Sequence, residues 1–419
     1  MSGNTTYIYK ITPYTVGDIS YSDISNVLTY TSNVQEARDL SAVFVDSSAI
    51  KIQFTAPKNS YNSTYYYELD ASSDTTITNI SGYTYPLLIN GLMYDTSYTC
   101  YILTYLDGLN NSRSSVLNIR TKQIYSITGT YSYSSNTSYK TILSFTNTTT
   151  AATIKFIKTI DVSLIVVAGG GGGGANTNIS GYGEGGGGGG GGGVIAGDMR
   201  FISGNTYTLN IGTGGLNSVP NSMNQTNGGD SSINDNNFTI IKAIGGGFGG
   251  CEYSRPNNCA GKSGGSSGGT SGNATSGTYI YSQSISSSYI IPINSNLQNY
   301  GNVGGGAKQS QGGGGGGGAG SAGITVTDGN GGNGGNGYTW NVTNKLYSCG
   351  GGGGCNGYNA TKLLGGNTYT GGGNGGQWGV DGSGSNATYY GCGGGGGASK
   401  NTGSVSGRGY QGIIIIAFN

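Results

Sequence analysis

The sequence predicts an all-β protein with β-sandwich domains in its first part and a glycine-bundle domain in the rest. Residues 1–122 contain short runs of alternating apolar and polar residues separated by turn signals, which is the pattern of half-buried strands. Glycine supplies 87 of the 419 residues, against a usual share of about 7%. Apolar runs such as 162–167 lead directly into glycine tracts. The tracts and these strands therefore belong to one domain.

Charge and residue content exclude several classes of function. Charged residues are 9% of the chain and the formal net charge is +1, so no basic surface attracts nucleic acid or an anionic membrane. The chain has no histidine, which excludes Ser-His and Cys-His nucleophiles and histidine-metal sites. Its 18 acidic residues are scattered without a paired-carboxylate motif. We predict no enzyme activity, catalytic residue, cofactor or metal, and no nucleic-acid partner.

Membrane insertion is also not predicted. The longest apolar run, residues 413–418, is far shorter than the roughly 20 residues that span a bilayer. The N-terminus has no basic segment followed by an apolar one.

Residues 35–123 carry the clearest strand pattern of the first part. Leu92, Thr96 and Tyr98 precede a segment in which apolar residues recur with a period of two. This arrangement resembles the L-x-P-x-T-x-Y signature of fibronectin type III domains, with Tyr94 in place of the proline. The resemblance implies a fibronectin type III-like sandwich in which Tyr98 forms the tyrosine corner.

Two further features accompany that resemblance. Residues 49–57 are similar to strand B of the family, with Phe54 where a tryptophan is usual. Cys100 follows the motif in an apolar strand, so we expect it to be a buried free thiol.

Residues 1–34 repeat the end of this domain. Tyr7 corresponds to Tyr98, and the Val-Leu pair at 27–28 corresponds to the pair at 116–117. We therefore interpret 1–34 as the C-terminal part of another fibronectin type III-like module and expect the chain to begin within that module. A longer array of such modules would then precede it.

Residues 124–419 form the predicted glycine-rich domain, in which strands alternate with glycine tracts. Strands are predicted at 144–145, 154–157, 162–167, 206–211, 238–244 and 412–418. The longest tracts are 185–193, 312–318, 350–354 and 393–397.

Four segments of this region resemble known glycine-rich domains. They are LIVVAG at 164–169, GVIAG at 193–197, SGNTYTLNIG at 203–212 and GIIII at 412–416. Their order resembles the glycine-rich domains of phage tail and giant-virus fibre proteins, and the extracellular glycine-rich module of anaplastic lymphoma kinase receptors. The resemblance implies a jelly-roll-like β-sandwich that carries a polyglycine II helix bundle.

Other interpretations of the glycine tracts fit less well. Residues 169–174 follow a strand, but neither G-K-[ST] nor a helical segment follows them, so no nucleotide site is predicted. The six prolines are too few for collagen. A flexible linker is the remaining alternative, and the even spacing of strands between tracts favours the bundle.

Asparagine spacing predicts where individual tracts lie in a bundle. A polyglycine II helix has three residues per turn and points its N–H and C=O groups outward to neighbouring helices. Asn330, Asn333 and Asn336 would share one face and place their helix at the edge, with a weaker version at Asn374 and Gln377. The uninterrupted run 185–193 could be enclosed on every side. Alternatively, the asparagines merely interrupt a low-complexity segment.

The same geometry constrains the six cysteines. Cys349 and Cys355 bracket 350–354, so an extended rise of about 3.1 Å per residue separates their Cα atoms by about 19 Å. That is beyond the limit of about 7 Å for a disulfide. We predict that one of the two bonds Cys392, and that Cys251 bonds Cys259.

These observations predict a structural and adhesive protein of a virion fibre or tail, or of a cell surface. The predicted location is extracellular or on a virion surface. The expected partners are a host receptor or glycan, together with self-association or attachment to a fibre. Aromatic side chains between the tracts are the ligand-contact candidates: Tyr182, Tyr253, Tyr279, Tyr281, Tyr289, Trp340, Trp378 and Tyr389. For each, capping a tract or filling the sandwich is an equal alternative.

Two other functions stay open at this point. One is a purely architectural filament or coat protein that self-assembles without a cognate ligand. The other is a receptor ectodomain that binds a protein ligand, as the receptor resemblance suggests.

Overall fold

The chain forms two compact units, residues 1–124 and 125–419, in a computed structural model. The structure describes residues 6–9, 28–31, 36–44, 50–55, 64–71, 74–76, 87–89, 92, 97–105, 112–121, 123–175, 184–219, 224–235, 238–251, 260–272, 289–290, 296–307, 312–355, 371–377, 382–398 and 404–419. The regular elements within these ranges are all β-strands.

The first unit contains ten strands among its described residues. They are β1 (Thr6–Tyr9), β2 (Leu28–Thr31), β3 (Arg38–Phe44), β4 (Ile50–Thr55), β5 (Thr64–Ala71), β6 (Asp74–Thr76), β7 (Leu87–Ile89), β8 (Ser97–Tyr105), β9 (Ser112–Arg113) and β10 (Leu117–Arg120). One sheet has the order β3-β4-β7, and the other has the order β10-β8-β5-β6 with β9 also paired to β8.

These two sheets confirm the predicted fibronectin type III-like sandwich. Alternate residues Ile50, Ile52 and Phe54 of β4 are buried, because successive side chains of a strand point to opposite faces. Cys100 in β8 belongs to the same core and is a free thiol. Tyr98 is buried near the start of β8, where the tyrosine corner of this fold lies.

Strands β1 and β2 form a separate two-stranded antiparallel sheet. Their pairing has the same register as that of β8 with β10 when the chain is aligned on the repeat found in the sequence. The equivalent pairs are Tyr7 with Tyr30 and Tyr98 with Ile119, then Tyr9 with Leu28 and Cys100 with Leu117. The repeat is therefore present in the strand pairing as well as in the residue types.

The second unit contains the remaining described strands. They are β11 (Tyr125–Thr128), β12 (Ser132–Ser134), β13 (Thr141–Phe145), β14 (Ala152–Phe156), β15 (Ile160–Val167), β16 (Val194–Phe201), β17 (Thr206–Asn210), β18 (Ser231–Asp235), β19 (Phe238–Ala243), β20 (Tyr289–Ile290), β21 (Gln298–Tyr300), β22 (Tyr338–Trp340), β23 (Lys345–Tyr347) and β24 (Ile413–Phe418).

Two six-stranded antiparallel sheets form the sandwich of this unit. Their orders are β11-β14-β17-β18-β19-β20 and β12-β13-β24-β15-β16-β21. Aromatic rings join the facing sides, since Phe156 of the first sheet lies 5.5 Å from both Phe418 and Phe201 of the second, measured between ring centroids. The predicted all-β fold with a jelly-roll-like sandwich is confirmed.

The centre of the second sheet is buried on both faces. Its other face packs against the hairpin β22–β23, which contributes Trp340 and Tyr347 to a cluster with Ile165 and Ile415. All six residues of β24 are buried. A continuous apolar run is the expected sequence for such a strand, because neither face meets water.

The central tract of the bundle, residues 185–193, is hydrogen-bonded on every side. Its N–H groups donate in a repeat of three to three different tracts, and its carbonyl oxygens accept in the same repeat from three others. The donor bonds run from 186 and 189 to 397 and 394, from 187 and 190 to 250 and 247, and from 188 and 191 to 314 and 317, with N···O distances of 2.8–3.0 Å. The repeat of three is that of a polyglycine II helix.

Six tracts surround this central tract. Around the ring they are 168–174, 244–250, 266–272, 312–318, 348–354 and 391–397, and they alternately donate to it and accept from it. The pairing of residue numbers makes 312–318 parallel to the central tract and the other five antiparallel. Residues 184–196 are accordingly all buried.

Glycine is required in this tract because neighbouring backbones occupy the space of a side chain. A Cβ built on Gly188 would overlap the carbonyl oxygen of Gly351, and one built on Gly189 would overlap that of Gly171. Backbone atoms of a packed neighbour cannot rotate away. Any other residue would separate the helices.

Residues 329–337 lie at the edge of the bundle, and their asparagines are less buried than the glycines that face inward. Asn333 is exposed and Asn330 and Asn336 are half-buried, whereas Gly332 and Gly335 are buried and donate to the carbonyls of 313 and 316. Asn374 is similarly exposed beside the inward-facing Gly373 and Gly376. The three-residue spacing therefore distinguishes the outer from the inner face.

Side-chain oxygens replace backbone carbonyls at several edges of the bundle. Gly245 N donates to Asp230 Oδ1 at 2.8 Å, and Phe248 N donates to Asn227 Oδ1 at 3.0 Å. Gly306 N donates to Thr325 Oγ1 at 3.0 Å. At these positions side chains of the protein, and not another glycine helix, accept the outward hydrogen bonds of the tracts.

Candidate functional site

The predicted ligand-contact residues have different outcomes. Tyr182, Tyr253, Tyr279, Tyr281 and Trp378 lie outside the described residues, and of Tyr289 only its place in β20 is described. Tyr389 is 43% exposed and stays a candidate.

The structure corrects the prediction that Trp340 contacts a ligand. Its side chain is only 3% exposed and packs in the cluster beneath the hairpin β22–β23. A ring in this position fills the core instead of contacting a ligand. Alternation in Tyr338-Thr339-Trp340 and Lys345-Leu346-Tyr347 around a four-residue turn could have indicated the hairpin.

The tracts around the central helix end at one level, at the end of the bundle away from the strands. Gly174 bonds to 187, Gly272 to 185 and Gly354 to 186, while 186 and 187 bond to Gly397 and Gly250. Ala175, Cys251, Cys355 and Ala398 follow these glycines and are buried. This layer, which we call the bundle end, borders 176–183, 252–259, 273–288, 356–370 and 399–403 in the sequence.

A disulfide joins two tracts at the opposite end of the bundle, next to the sandwich. It connects Cys349 with Cys392, whose Cα atoms are 4.5 Å apart, and both residues are buried. Cys355 lies at the bundle end, so the two cysteines that bracket 350–354 are at opposite ends of their tract. Cys251 accepts a hydrogen bond from Gln225 Nε2 at 3.1 Å, and its predicted pairing with Cys259 lies outside the described residues.

Three packed tyrosines of this unit, one buried and two half-buried, keep their protons. Tyr338 stacks on Tyr300 with ring centroids 4.1 Å apart, and burial, together with the hydrogen bond to Tyr300, raises the pKa of Tyr338 to about 12. Burial also raises the pKa of Tyr347 and Tyr390. These phenols serve as packing groups with a polar end.

The ion pairs of the second unit lie on its surface. Arg200 Nε is 2.7 Å from Asp161 Oδ1, and Lys242 Nζ is 2.8 Å from Asp230 Oδ2. The guanidinium hydrogen bond from Arg200 lowers the pKa of Asp161. Across the ranges that the structure covers, no three metal-ligating side chains come together.

The described residues also include no helix long and apolar enough to cross a membrane.

Fold and site together define a class, an all-β protein in which a sandwich continues into a polyglycine II bundle. The chain belongs to the glycine-rich domain family, whose model matches residues 146–419, well over half of its length. Comparison with curated proteins gave no match.

Two solved structures show a similarity to this chain. Domains d3–d4 of the rat CD45 extracellular region share 13% identity with a TM-score of 0.21, over 29% of this chain and 66% of that chain, just under two thirds of it. A segment of two fibronectin type III domains from chicken tenascin shares 12% identity with a TM-score of 0.20, over 48% of this chain and 99% of that chain.

Proposed function

We propose that this chain is a non-enzymatic structural and adhesive protein of an extracellular or virion surface. The sandwich modules act as spacers, and the glycine-rich domain is a rigid support for the connections between its tracts. The observation that carries the proposal is the bundle end, where the surrounding tracts finish at one level. Loops on a rigid scaffold are a common arrangement for binding.

Three further observations support this proposal. Four of the candidate aromatic residues, Tyr182, Tyr253, Tyr279 and Tyr281, occur in connections that border the bundle end in the sequence. The buried Cys349–Cys392 disulfide suits an oxidising compartment. The resemblance to phage tail and giant-virus fibre proteins, and to the receptor module, points to surface recognition.

Cell binding by the purified chain tests the proposal. Labelled protein is titrated onto host cells or isolated envelopes, and single variants replace Tyr182, Tyr253, Tyr279 or Tyr281 by serine. We expect saturable binding that falls at least about tenfold in one or more variants, since aromatic anchors dominate interfaces. The matched control is Tyr133→Ser, which removes a 60% exposed tyrosine from β12. Saturable binding that all four variants retain would contradict a ligand site at the bundle end.

The alternative of a purely architectural polymer predicts a different result. Filaments or sheets of the purified chain that bind no cells would favour it. Lateral growth by adding glycine helices is opposed where Asp230, Asn227 and Thr325 already close the edge of the lattice. Electron microscopy of the purified protein distinguishes the two outcomes.

A further inference from the structure

Outside the bundle end, one side of the glycine-rich domain carries an isolated cation between polar and aromatic side chains. Arg408 is exposed on the tract that leads into β24, and Tyr410 follows two residues later. Tyr389 and Asn386 are exposed on the adjacent segment. We call Asn217, Asn386, Tyr389, Arg408 and Tyr410 the Arg408 surface.

Backbone hydrogen bonds hold the segments of this surface side by side. Ala387 N donates to Arg408 O at 2.9 Å, and Gly409 N donates to Gly215 O at 3.0 Å. Cys392 N donates to Tyr389 O at 3.0 Å, while Tyr410 N donates to Cys392 O at 2.8 Å. The side chains therefore stand on a rigid lattice, which limits the entropy lost on binding.

The Arg408 side chain is oriented, and no described carboxylate forms an ion pair with it. Its Nε donates to Asn217 Oδ1 at 3.0 Å, and its backbone N donates to Asn386 Oδ1 at 2.8 Å. Among the described residues, none accepts a hydrogen bond from its terminal Nη groups, and the segments 212–219, 371–377, 382–390 and 404–411 contain no carboxylate. The free side of the guanidinium can bind a carboxylate through two parallel hydrogen bonds.

Two exposed aromatic side chains lie on the segments that carry Arg408 and Asn386. Tyr389 is 43% and Tyr410 36% exposed. Tyr410 is fixed by Tyr390, whose ring centroid lies 5.5 Å away in an edge-on arrangement, and Tyr389 packs over Gly371. Each offers an apolar ring face with a hydroxyl at its end, which suits the apolar face and polar rim of a pyranose.

We propose that the Arg408 surface binds an acidic saccharide, one whose sugar carries a carboxylate. Arg408 receives the carboxylate, Tyr389 and Tyr410 pack against the sugar rings, and the Asn386 amide donates to a hydroxyl group. An acidic peptide would also satisfy the arginine, but two exposed tyrosines beside exposed amides favour a sugar. This site rests on the proposed adhesive function and adds the class of ligand.

The test uses the full chain and two probes. One is an oligosaccharide that contains glucuronate and the other ends in sialate, and each is compared with its carboxyl-reduced form by calorimetric titration. Asn386-Ala387-Thr388 is a glycosylation sequon, so the protein is produced in a host without N-glycosylation. We expect at least one acidic probe to bind about tenfold or more tightly than its reduced form, because a charge-assisted bidentate pair is lost.

Variants then assign the binding to this surface. Arg408→Gln should weaken binding of the acidic probe at least about tenfold and abolish the preference over the reduced form. Tyr389→Ser and Tyr410→Ser should weaken both forms alike. Lys345→Gln, at an exposed cation on the hairpin, and Tyr133→Ser are the matched controls and should bind as the unchanged chain does.

Several results would overturn the proposal. They are no binding of either acidic probe, equal binding of the acidic and reduced forms, or unchanged binding by Arg408→Gln. Tighter binding of an acidic peptide such as oligoglutamate would also reject a saccharide. If cells are still bound when the saccharides are not, this site fails while the adhesive function stands. If the saccharides bind but cells do not, the Arg408 site stands and the adhesive function fails.

Discussion

The sandwich of the first unit and the glycine bundle of the second bury their interiors in opposite ways. In the first, apolar side chains such as Ile50 and Ile52 fill the space between two sheets. In the bundle, residues 185–193 are buried although they have no side chains, and their polar backbone groups bond to neighbouring tracts. The comparison shows that a protein interior needs close packing and satisfied polar groups, and that apolar side chains are one of two ways to provide them.

The largest effect that we predict comes from adding one methyl group to the centre of the bundle. Gly189→Ala should lower the free energy of unfolding of the glycine-rich domain by more than about 4 kcal/mol, because the Cβ meets the Gly171 carbonyl and neither backbone can yield locally. Denaturant unfolding followed by hydrogen exchange of the tracts measures this.

The control for that substitution is Asn333→Ala at the bundle edge. Asn333 is exposed, so the change should stay within about 0.5 kcal/mol. A Gly189→Ala protein as stable as the unchanged chain would show that the central tract is not enclosed.

The second prediction is the reverse change, in which removing side-chain volume from the core lowers the stability of the first unit. Ile52→Ala at a fully buried position should destabilise residues 36–121 by about 3 to 4 kcal/mol through lost burial and a cavity. Hydrogen exchange of the second unit should not change. Val43→Ala, at a 50% exposed side chain, is the control and should be nearly neutral. If Ile52→Ala and Val43→Ala lowered the free energy of unfolding equally, the result would argue against the sandwich core.

The disulfide adds a smaller contribution to the bundle. Cys349 and Cys392 are separated by 43 residues in sequence, so replacing both by alanine should cost about 3 kcal/mol through the entropy of the unfolded chain. Dithiothreitol should lower the denaturation midpoint of the unchanged chain toward that of the double variant. The double variant should lack this part of the response, and any response that remains would come from another disulfide, such as the predicted Cys251–Cys259 pair.

The smallest effect concerns the buried thiol of the first unit. Burial raises the pKa of Cys100 to about 12, whereas an unfolded thiol titrates near 8.5. Between those values only the unfolded chain loses the thiol proton, so the contribution of Cys100 to stability is constant below about pH 8.5 and then falls by about 1.4 kcal/mol per pH unit. Unfolding measured from pH 8 to 11 should show this slope, and Cys100→Ala should lack its part of it.

The sequence predicted elements whose residue types carry a geometric constraint. The run at 185–193 indicated an enclosed tract, because only glycine allows approach on all sides, and the spacing of Asn330, Asn333 and Asn336 indicated an edge. Alternation in β4 and the motif around Tyr98 predicted the first sandwich.

The arrangement of the tracts could not be predicted in the same way. Glycines are identical to one another, so the sequence of a tract does not specify its neighbours, and the strands that enter the bundle fix the order. Trp340 was misassigned because a tryptophan between polar residues looks the same on a surface loop as on a hairpin packed against a sheet. Arg408 was not a candidate, because the orientation of its side chain depends on Asn217, which is distant in the sequence.

The enclosure of the central tract also determines when the domain can fold. Gly186 donates to Gly397 and accepts from Gly354, so two sides of its environment are made from residues synthesised much later. Until those arrive, the central tract has exposed polar groups and no cohesion of its own, since glycine is costly to order. Contacts so distant in sequence predict slow folding. During synthesis, the most protected segment of the finished molecule is therefore among those that wait longest for a partner.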